Sequence, residues 1–449
     1  MPEIVSIVDE GLGNSSYLVA LGDGRALAVD PSRDPAPYLA AAERRGWEVA
    51  YSAETHLHAD FVSGSRELAA RGATVVAPAA AGLAFPHRGL GDDDEVALSG
   101  LTLRPIATPG HTPEHLAFLL LDGSRPLALF SGGSLLVGAV ARTDLIAPER
   151  TEELARAQYR SVTQRLLALP DELPVYPTHG AGSFCSAPAG GERVTTIGAE
   201  RAANPLLAAA DEDEFVARLL AGLGSYPAYF SRLREVNRRG PRVYGDLPAL
   251  TPLSPDHARR LVDKGAEVVD VRPVPEFAAG HVPGSLSIVL RPAFASWLGW
   301  IVPDGRPLVF VVGEGQDRAE LVRQALKVGY ENLLGELAGG VAAWHEAGFE
   351  LTRIPLVEPG AVEGPLLDVR QNAEYVGGHV PASIHIELGS LDATDGPAPG
   401  PITVACGHGE RAMTGASLLA RAGRSEVAVL DGGPEDWSRA TGRPLEAEE

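Results

Sequence analysis

The sequence predicts a multidomain protein of layered α/β architecture. Strand-sized apolar runs alternate with helix-sized amphipathic stretches through residues 1–245, the pattern of sheets covered by helices. Beyond Pro248–Ser254 one pattern occurs twice. "DVRPVPEFAAGHVPGSLSI" from Asp270 returns 98 residues later as "DVRQNAEYVGGHVPASIHI" from Asp368. The length of 449 residues also suits about three domains.

The elements read in order. "LVALGDGRALAVD" is two strands around a Gly22-Asp23-Gly24 turn. "DPAPYLAAAERRG" opens on prolines and closes on Gly46, a bounded helix. "EVAYSAETH" is a strand running into a loop, and further strands follow at "ATVVAP", "EVALSGLTLRPIATPG" and "HLAFLLLDGSRPLALFSGG". Helices return at "RTEELARAQYRSVTQRLLALP" and "EDEFVARLLAGL", and residues 224–250 are mixed and proline-punctuated. Each repeat reads as strand, turn, strand, then a Gly-rich loop opening a helix, which suits a parallel sheet with crossover helices. The expected domains are 1–250, 253–354 and 355–449.

The strongest chemical signal is "ITVACGHGERAMTGASLLARAG". Cys406 ends a short apolar strand, Gly407 and Gly409 let the backbone curl, and a helix begins near Arg411. A loop wrapped at a helix N-terminus turns successive N–H groups inward and favours an anion. That anion can be the Cys406 thiolate, with Gly407, His408, Gly409 and Glu410 forming the cradle and Arg411 adding positive charge. The paired "DVR…EF/EY…GHVPGS/GHVPAS", the loop "CGHGER" and the closing "DGG…W" resemble rhodanese domains, the sulfurtransferase family. The resemblance implies that Cys406 takes up a sulfane sulfur as a persulfide and passes it to a thiol or cyanide. In the first copy Val312 stands at the position of Cys406 and Asp317 at that of Arg411. That copy is expected to be non-catalytic, because valine cannot attack sulfur and aspartate repels an anion.

The N-terminal part carries "THLHADF" (His56, His58, Asp60), "TPGHTPEH" (His111), "FSGGS" and "YPTHGAGSFCS" (His179, Cys185). Each histidine follows a strand-like run, and imidazoles gathered from strand-end loops are what a zinc or iron site needs. These stretches resemble the metallo-β-lactamase superfold, and more closely its persulfide dioxygenase and hydroxyacylglutathione hydrolase branch. The resemblance implies an αββα sandwich. Its domain order resembles persulfide dioxygenase–rhodanese fusions, which implies sulfide or persulfide oxidation as the process and a homo-oligomer. Phe61 stands where the family has its second-metal histidine, and Gly133 where it has a carboxylate ligand. Three ligands then remain for one zinc or iron ion, His56, His58 and His111, with Asp60 and His179 as polar wall groups; the alternative is a metal-free pocket. Cys185 is expected to be structural.

Composition narrows the field. A net charge of −21 with no basic cluster repels nucleic acid and anionic membranes. Two cysteines exclude a disulfide scaffold. No apolar run is long enough to span a bilayer, and the N-terminus has neither a basic nor a long apolar segment, so a cytoplasmic location is expected. Three functions follow. The first is sulfane-sulfur transfer at Cys406 from thiosulfate or small-molecule persulfides. The second is dioxygenation of a glutathione or other thiol persulfide on a metal at His56, His58 and His111. The third is a non-catalytic scaffold or sulfur-sensing module.

Overall fold

The structure, a computed structural model, describes residues 2–185, 191–391 and 400–447. It divides into two compact units, Met1–Leu247 with Leu326–Gly329, and Pro248–Ala325 with Tyr330–Glu449.

The first unit holds two six-stranded sheets. One runs in chain order: β1 (Ile4–Asp9), β2 (Asn14–Ala20), β3 (Arg25–Val29), β4 (Glu48–Ala53), β5 (Thr74–Pro78) and β6 (Arg88–Leu90). It is antiparallel up to β3 and parallel beyond. The other comprises β7 (Val96–Leu98), β8 (Leu101–Ala107), β9 (Leu116–Asp122), β10 (Arg125–Gly132), β11 (Pro174–Pro177) and β12 (Thr195–Thr196), also in chain order. Only the β10–β11 pair is parallel here.

Side-chain alternation explains the layering. Tyr17 and Val19 of β2 meet Phe118 and Leu120 of β9 in the core between the sheets. The intervening Leu18 points outward under the helix Ala36–Glu43, and Leu119 and Leu121 point outward under Thr151–Arg160 and Glu212–Ala221. Both faces of each sheet are therefore buried, which gives near-continuous apolar strands. The result is the expected αββα sandwich. Among the elements that went unread, Ser65–Ala69 and Ile197–Ala203 included, one bears on the site. Residues 230–239 form a helix, Phe230–Arg239, whose buried face is only Phe230, Leu233 and Asn237. Its apolar positions, Phe230, Leu233 and Val236, keep helical spacing, but the flanking Pro227 and Gly240-Pro241 make the segment read as irregular.

The second unit contains two five-stranded sheets of one design. The first combines β13 (Pro252–Leu253), β14 (Glu267–Asp270), β15 (Leu286–Ser287), β16 (Leu308–Val311) and β17 (Leu333–Leu337) in the order β13-β17-β16-β14-β15. The second combines β18 (Leu356–Val357), β19 (Leu366–Asp368), β20 (Ile384–His385), β21 (Ile402–Ala405) and β22 (Val427–Leu430) in the order β18-β22-β21-β19-β20. Every pairing is parallel. The expected turn after each "DVR" is a short helix, Val274–Ala279 and Asn372–Val376, the latter closed by a Gln371/Glu374 capping box. The two copies touch through Thr414, whose hydroxyl donates to the Ser287 carbonyl at 2.6 Å, and through the Ser287 N–H, which donates to Ser417 Oγ at 3.2 Å.

Candidate metal pocket and thiol loop

In the first unit the carboxyl ends of β3, β4, β8 and β11 converge, and the histidines stand on the loops that leave them. Asp30, just after β3, adopts a left-handed backbone (φ 48°) and acts as the hub. It accepts the Thr55 N–H and hydroxyl, each at 2.7 Å, and the Thr178 hydroxyl. The Thr55 hydroxyl thus has its proton committed to Asp30, so it accepts from His56 Nδ1 at 2.8 Å. His111 Nδ1 donates to the Arg142 carbonyl at 2.7 Å, and His179 Nδ1 to Asn14 Oδ1 at 3.1 Å. Each of these imidazoles is held by one nitrogen, which leaves the other, Nε2, with its lone pair exposed to the pocket. His56 Nε2 and His179 Nε2 lie 3.4 Å apart. The ligand atoms of His56, His111 and His179 all fall within 4.8 Å of one another.

The sequence reading placed His56, His58 and His111 in the ligand set with Asp60 and His179 on the wall; in the structure His179 also converges with His56 and His111. His58 Nε2 lies 3.3 Å from Asp30 Oδ1 and 3.1 Å from Glu54 Oε2, while its ring stacks on Phe61 at 4.2 Å between centroids. His58 converges instead in two other groups, with Asp30 and His56, and with Asp60 and His179. Its Nε2 faces the Asp30 and Glu54 carboxylates, and neither ring nitrogen of His58 has a hydrogen-bond partner among the described residues. Burial alone would lower its pKa, but these two charges raise it to about 10. Burial pushes His56 and His111 well below the usual histidine range, with neighbouring imidazoles adding to the effect. His115, unread in the sequence, stacks on His56 and accepts the Gly133 N–H at 2.9 Å, and burial takes its pKa to about 3. Burial would raise Asp60, yet His179 and His58 hold it well below the usual carboxylate range.

The donors fit a divalent ion. His56 and His111 are held neutral, and the three Nε2 atoms converge. Asp60 Oδ1 is buried beside them with no hydrogen-bond partner among the described residues. A Cβ built at Gly133 would lie 2.5 Å from His111 Cδ2. The space in which a side chain at 133 would begin is therefore occupied by the His111 ring.

The helix the sequence did not reveal fixes this pocket from behind. Asn237 Nδ2 donates to the carbonyls of His58 and Phe61 at 2.8 and 2.9 Å, and Asn237 Oδ1 accepts the Ser63 N–H at 2.9 Å. Arg234 bonds both oxygens of Glu114, which also accepts the Leu57 N–H at 3.1 Å. Tyr229 donates to the Asp60 carbonyl at 3.1 Å. Cys185 is fully buried, and burial, with Asp60 nearby, pushes its thiol well up.

In the second unit Cys406 follows β21 directly. Gly409 takes a φ of 90°, open to glycine, and caps the helix Glu410–Arg421. Its N–H donates to Cys406 Sγ at 3.1 Å. The residue is 1% exposed and lies beneath the loop, with His408 exposed above it and Gly407 half-buried. Arg411 is not a free cation. Its two terminal nitrogens bond both oxygens of Glu374 at 2.6 and 2.7 Å, and burial of Glu374 is outweighed by this pairing, which lowers its pKa. Glu410 lies 4.0 Å from Arg291 of the first copy.

The matching loop of the first copy is filled by its own side chains. The Gly313 N–H donates to Gln316 Oε1 at 2.7 Å, and Gln316 Nε2 donates to the Val271 carbonyl at 2.7 Å. Asp317 caps the following helix, accepting the Ala319 and Glu320 N–H groups at 2.8 and 3.2 Å.

Residues 9–179 match the metallo-beta-lactamase superfamily model. The chain is 31% identical over 206 residues to the mitochondrial persulfide dioxygenase ETHE1 of Homo sapiens, a match spanning 45% of this chain and 74% of that one. The chain belongs to the metallo-beta-lactamase superfamily. Residues 254–347 and 356–440 each match the rhodanese-like domain. A hydroxyacylglutathione hydrolase of Methylococcus capsulatus is 37% identical over 161 residues, covering 35% of this chain and 58% of the hydrolase. The crystal structure of a metallo-beta-lactamase from Staphylococcus aureus aligns with a TM-score of 0.66 at 26% identity, over 75% of this chain and 99% of that one. At the two positions where the resemblance expects further ligands, the surroundings have closed: Phe61 packs on His58, and the His111 ring abuts Gly133. No helix among the described residues is long and apolar enough to cross a membrane.

Proposed function

We propose that this chain transfers sulfane sulfur through a persulfide on Cys406, in the service of sulfur metabolism. The observation that carries the reading is the Gly409 N–H on Cys406 Sγ at a helix N-terminus. A thiolate there gains a charge-assisted hydrogen bond and the positive end of the helix. It attacks the outer sulfur of a small-molecule persulfide or thiosulfate. One S–S bond forms as another breaks, and the electron pair leaves on a thiolate or on sulfite. A thiol or cyanide then takes the sulfur from Cys406. Similarity to persulfide dioxygenase ETHE1 supports the same substrate class. The first rhodanese-like copy is read as non-catalytic, supported by Val312 and by the Gln316 side chain in its loop. Cys406→Ser should reduce thiosulfate:cyanide transfer to background, and persistent transfer in that variant refutes the reading.

A second reading concerns the histidine pocket. One zinc or iron ion would be held by His56, His111 and His179, with His58 and Asp60 beside that set. The convergence of these three Nε2 atoms supports it, as does the His111 ring at Gly133. Such an ion would supply Lewis acidity toward a sulfur ligand. The chain's own residues orient the imidazoles: Thr55, the Arg142 carbonyl and Asn14 fix one nitrogen of each ring. Elemental analysis of purified protein should find close to one metal per chain. His179→Gln should lose most of it, and His58→Gln should retain it. Equal loss in both variants returns His58 to the ligand set, and metal-free wild-type protein favours a scaffold or sensing role for this unit.

A further inference from the structure

We infer that Glu374 sets the donor class of the Cys406 centre: by neutralising Arg411 it makes the centre select weakly charged thiol persulfides over the thiosulfate dianion. The inference rests on the reading of Cys406 as the sulfur acceptor.

The charges around the loop come in matched pairs. Arg411 lies over the loop, with Nη2 3.7 Å from where a Cβ of Gly407 would stand, and it is bound through both terminal nitrogens to Glu374. A bidentate pair of this kind fixes the guanidinium plane and commits its two outer N–H edges. Arg411 is largely buried, with its side chain 16% exposed, so solvent screens the pair only in part. A second guanidinium, Arg291, faces Glu410 of the loop at 4.0 Å. A third, Arg370, donates through Nε and Nη2 to the buried Asp368. A dianion entering here meets guanidinium groups, Arg411 and Arg291, that already face carboxylates. Its second negative charge gains nothing that water did not already supply.

A persulfide of an uncharged thiol carries at most one negative charge, and the amide at Gly409 serves it. The chemistry is alike for both donors. The Cys406 thiolate bonds the outer sulfur and the donor's S–S bond breaks, with the electron pair leaving on a thiolate from the persulfide or on sulfite from thiosulfate. No oxidant or reductant enters. The first copy makes the contrast plain. Asp317 holds the position of Arg411 there and caps a helix, so the clamp belongs to the copy that carries the cysteine.

The test uses the full chain and follows sulfur loading onto Cys406 by intact mass in single turnover. The two donors are thiosulfate and N-acetylcysteamine persulfide. Wild-type protein should load faster from the persulfide, and its thiosulfate rate should depend weakly on ionic strength. Glu374→Gln frees one positive charge. It should shift the thiosulfate-to-persulfide rate ratio about tenfold toward thiosulfate, the size of one charge acting at a partly buried site. The thiosulfate rate should then fall steeply with salt. Wild-type preference for thiosulfate overturns the inference without variants. An unchanged ratio with both rates reduced also overturns it, since Glu374 would then only position Arg411. Loading from neither donor overturns the parent reading instead.

Discussion

Glu114 ties the histidine loop to the helix behind it, through the Leu57 N–H and Arg234. Burial would raise its pKa, but the charge and hydrogen bonds of Arg234 outweigh this and lower it below 4.5. A carboxylate with a depressed folded pKa stabilises the fold above its unfolded value, and that contribution is lost as pH falls through the folded value. Glu114→Gln strands Arg234 and should destabilise the first unit by about 2–4 kcal/mol at neutral pH. The gap from wild type should narrow below about pH 4.5, where Glu114 begins to protonate in the unfolded chain. Denaturant unfolding of both proteins at pH 7 and pH 4 checks this, and an equal gap at both values contradicts it. At this scale the sequence showed the chemistry but not the aim of each ring. The spacing of His56 and His58 marks a ligand loop. What stands opposite His58 Nε2 is Asp30, which follows β3, and nothing in "THLHAD" reports it.

The two Gly-rich loops of the second unit compare like with like at the level of elements. Both follow a central parallel strand and both open a helix. In one, an amide meets Cys406; in the other, Gln316 takes an amide and ties itself to Val271. Restoring the nucleophile alone should therefore fail. Val312→Cys, made in a Cys406→Ser background, should show no sulfur loading by intact mass. Loading would mean that the plug is displaced by substrate. The repeat was legible because identical "DVR" and "GHVP" segments mark equivalent strand ends. The plug was not, since glutamine in a polar loop carries no signal of where its amide points. The helix Phe230–Arg239 carries a readable apolar stripe, but its working residues, Asn237, Arg234 and the preceding Tyr229, are polar or amphipathic, and periodicity does not report what they bond.

For the whole molecule, composition and order already carried much of the outcome. The −21 charge, the alternating elements and the duplicated segment predict a multidomain α/β protein remote from nucleic acid. The αββα sandwich and both rhodanese-like copies follow from them together with the motif resemblances. What composition could not show is that each centre balances its own charges: Asp30 and Glu54 around His58, Glu374 and Glu410 around the arginines. The central claim is that Cys406 is the sulfur acceptor of the chain. Its most direct measurement is the intact mass of the full protein after brief exposure to a persulfide donor, followed by peptide mapping. The predicted result is one added sulfur, on Cys406, that is discharged by cyanide and does not appear in Cys406→Ser. Sulfur found on Cys185, or none on Cys406 at saturating donor, contradicts the account.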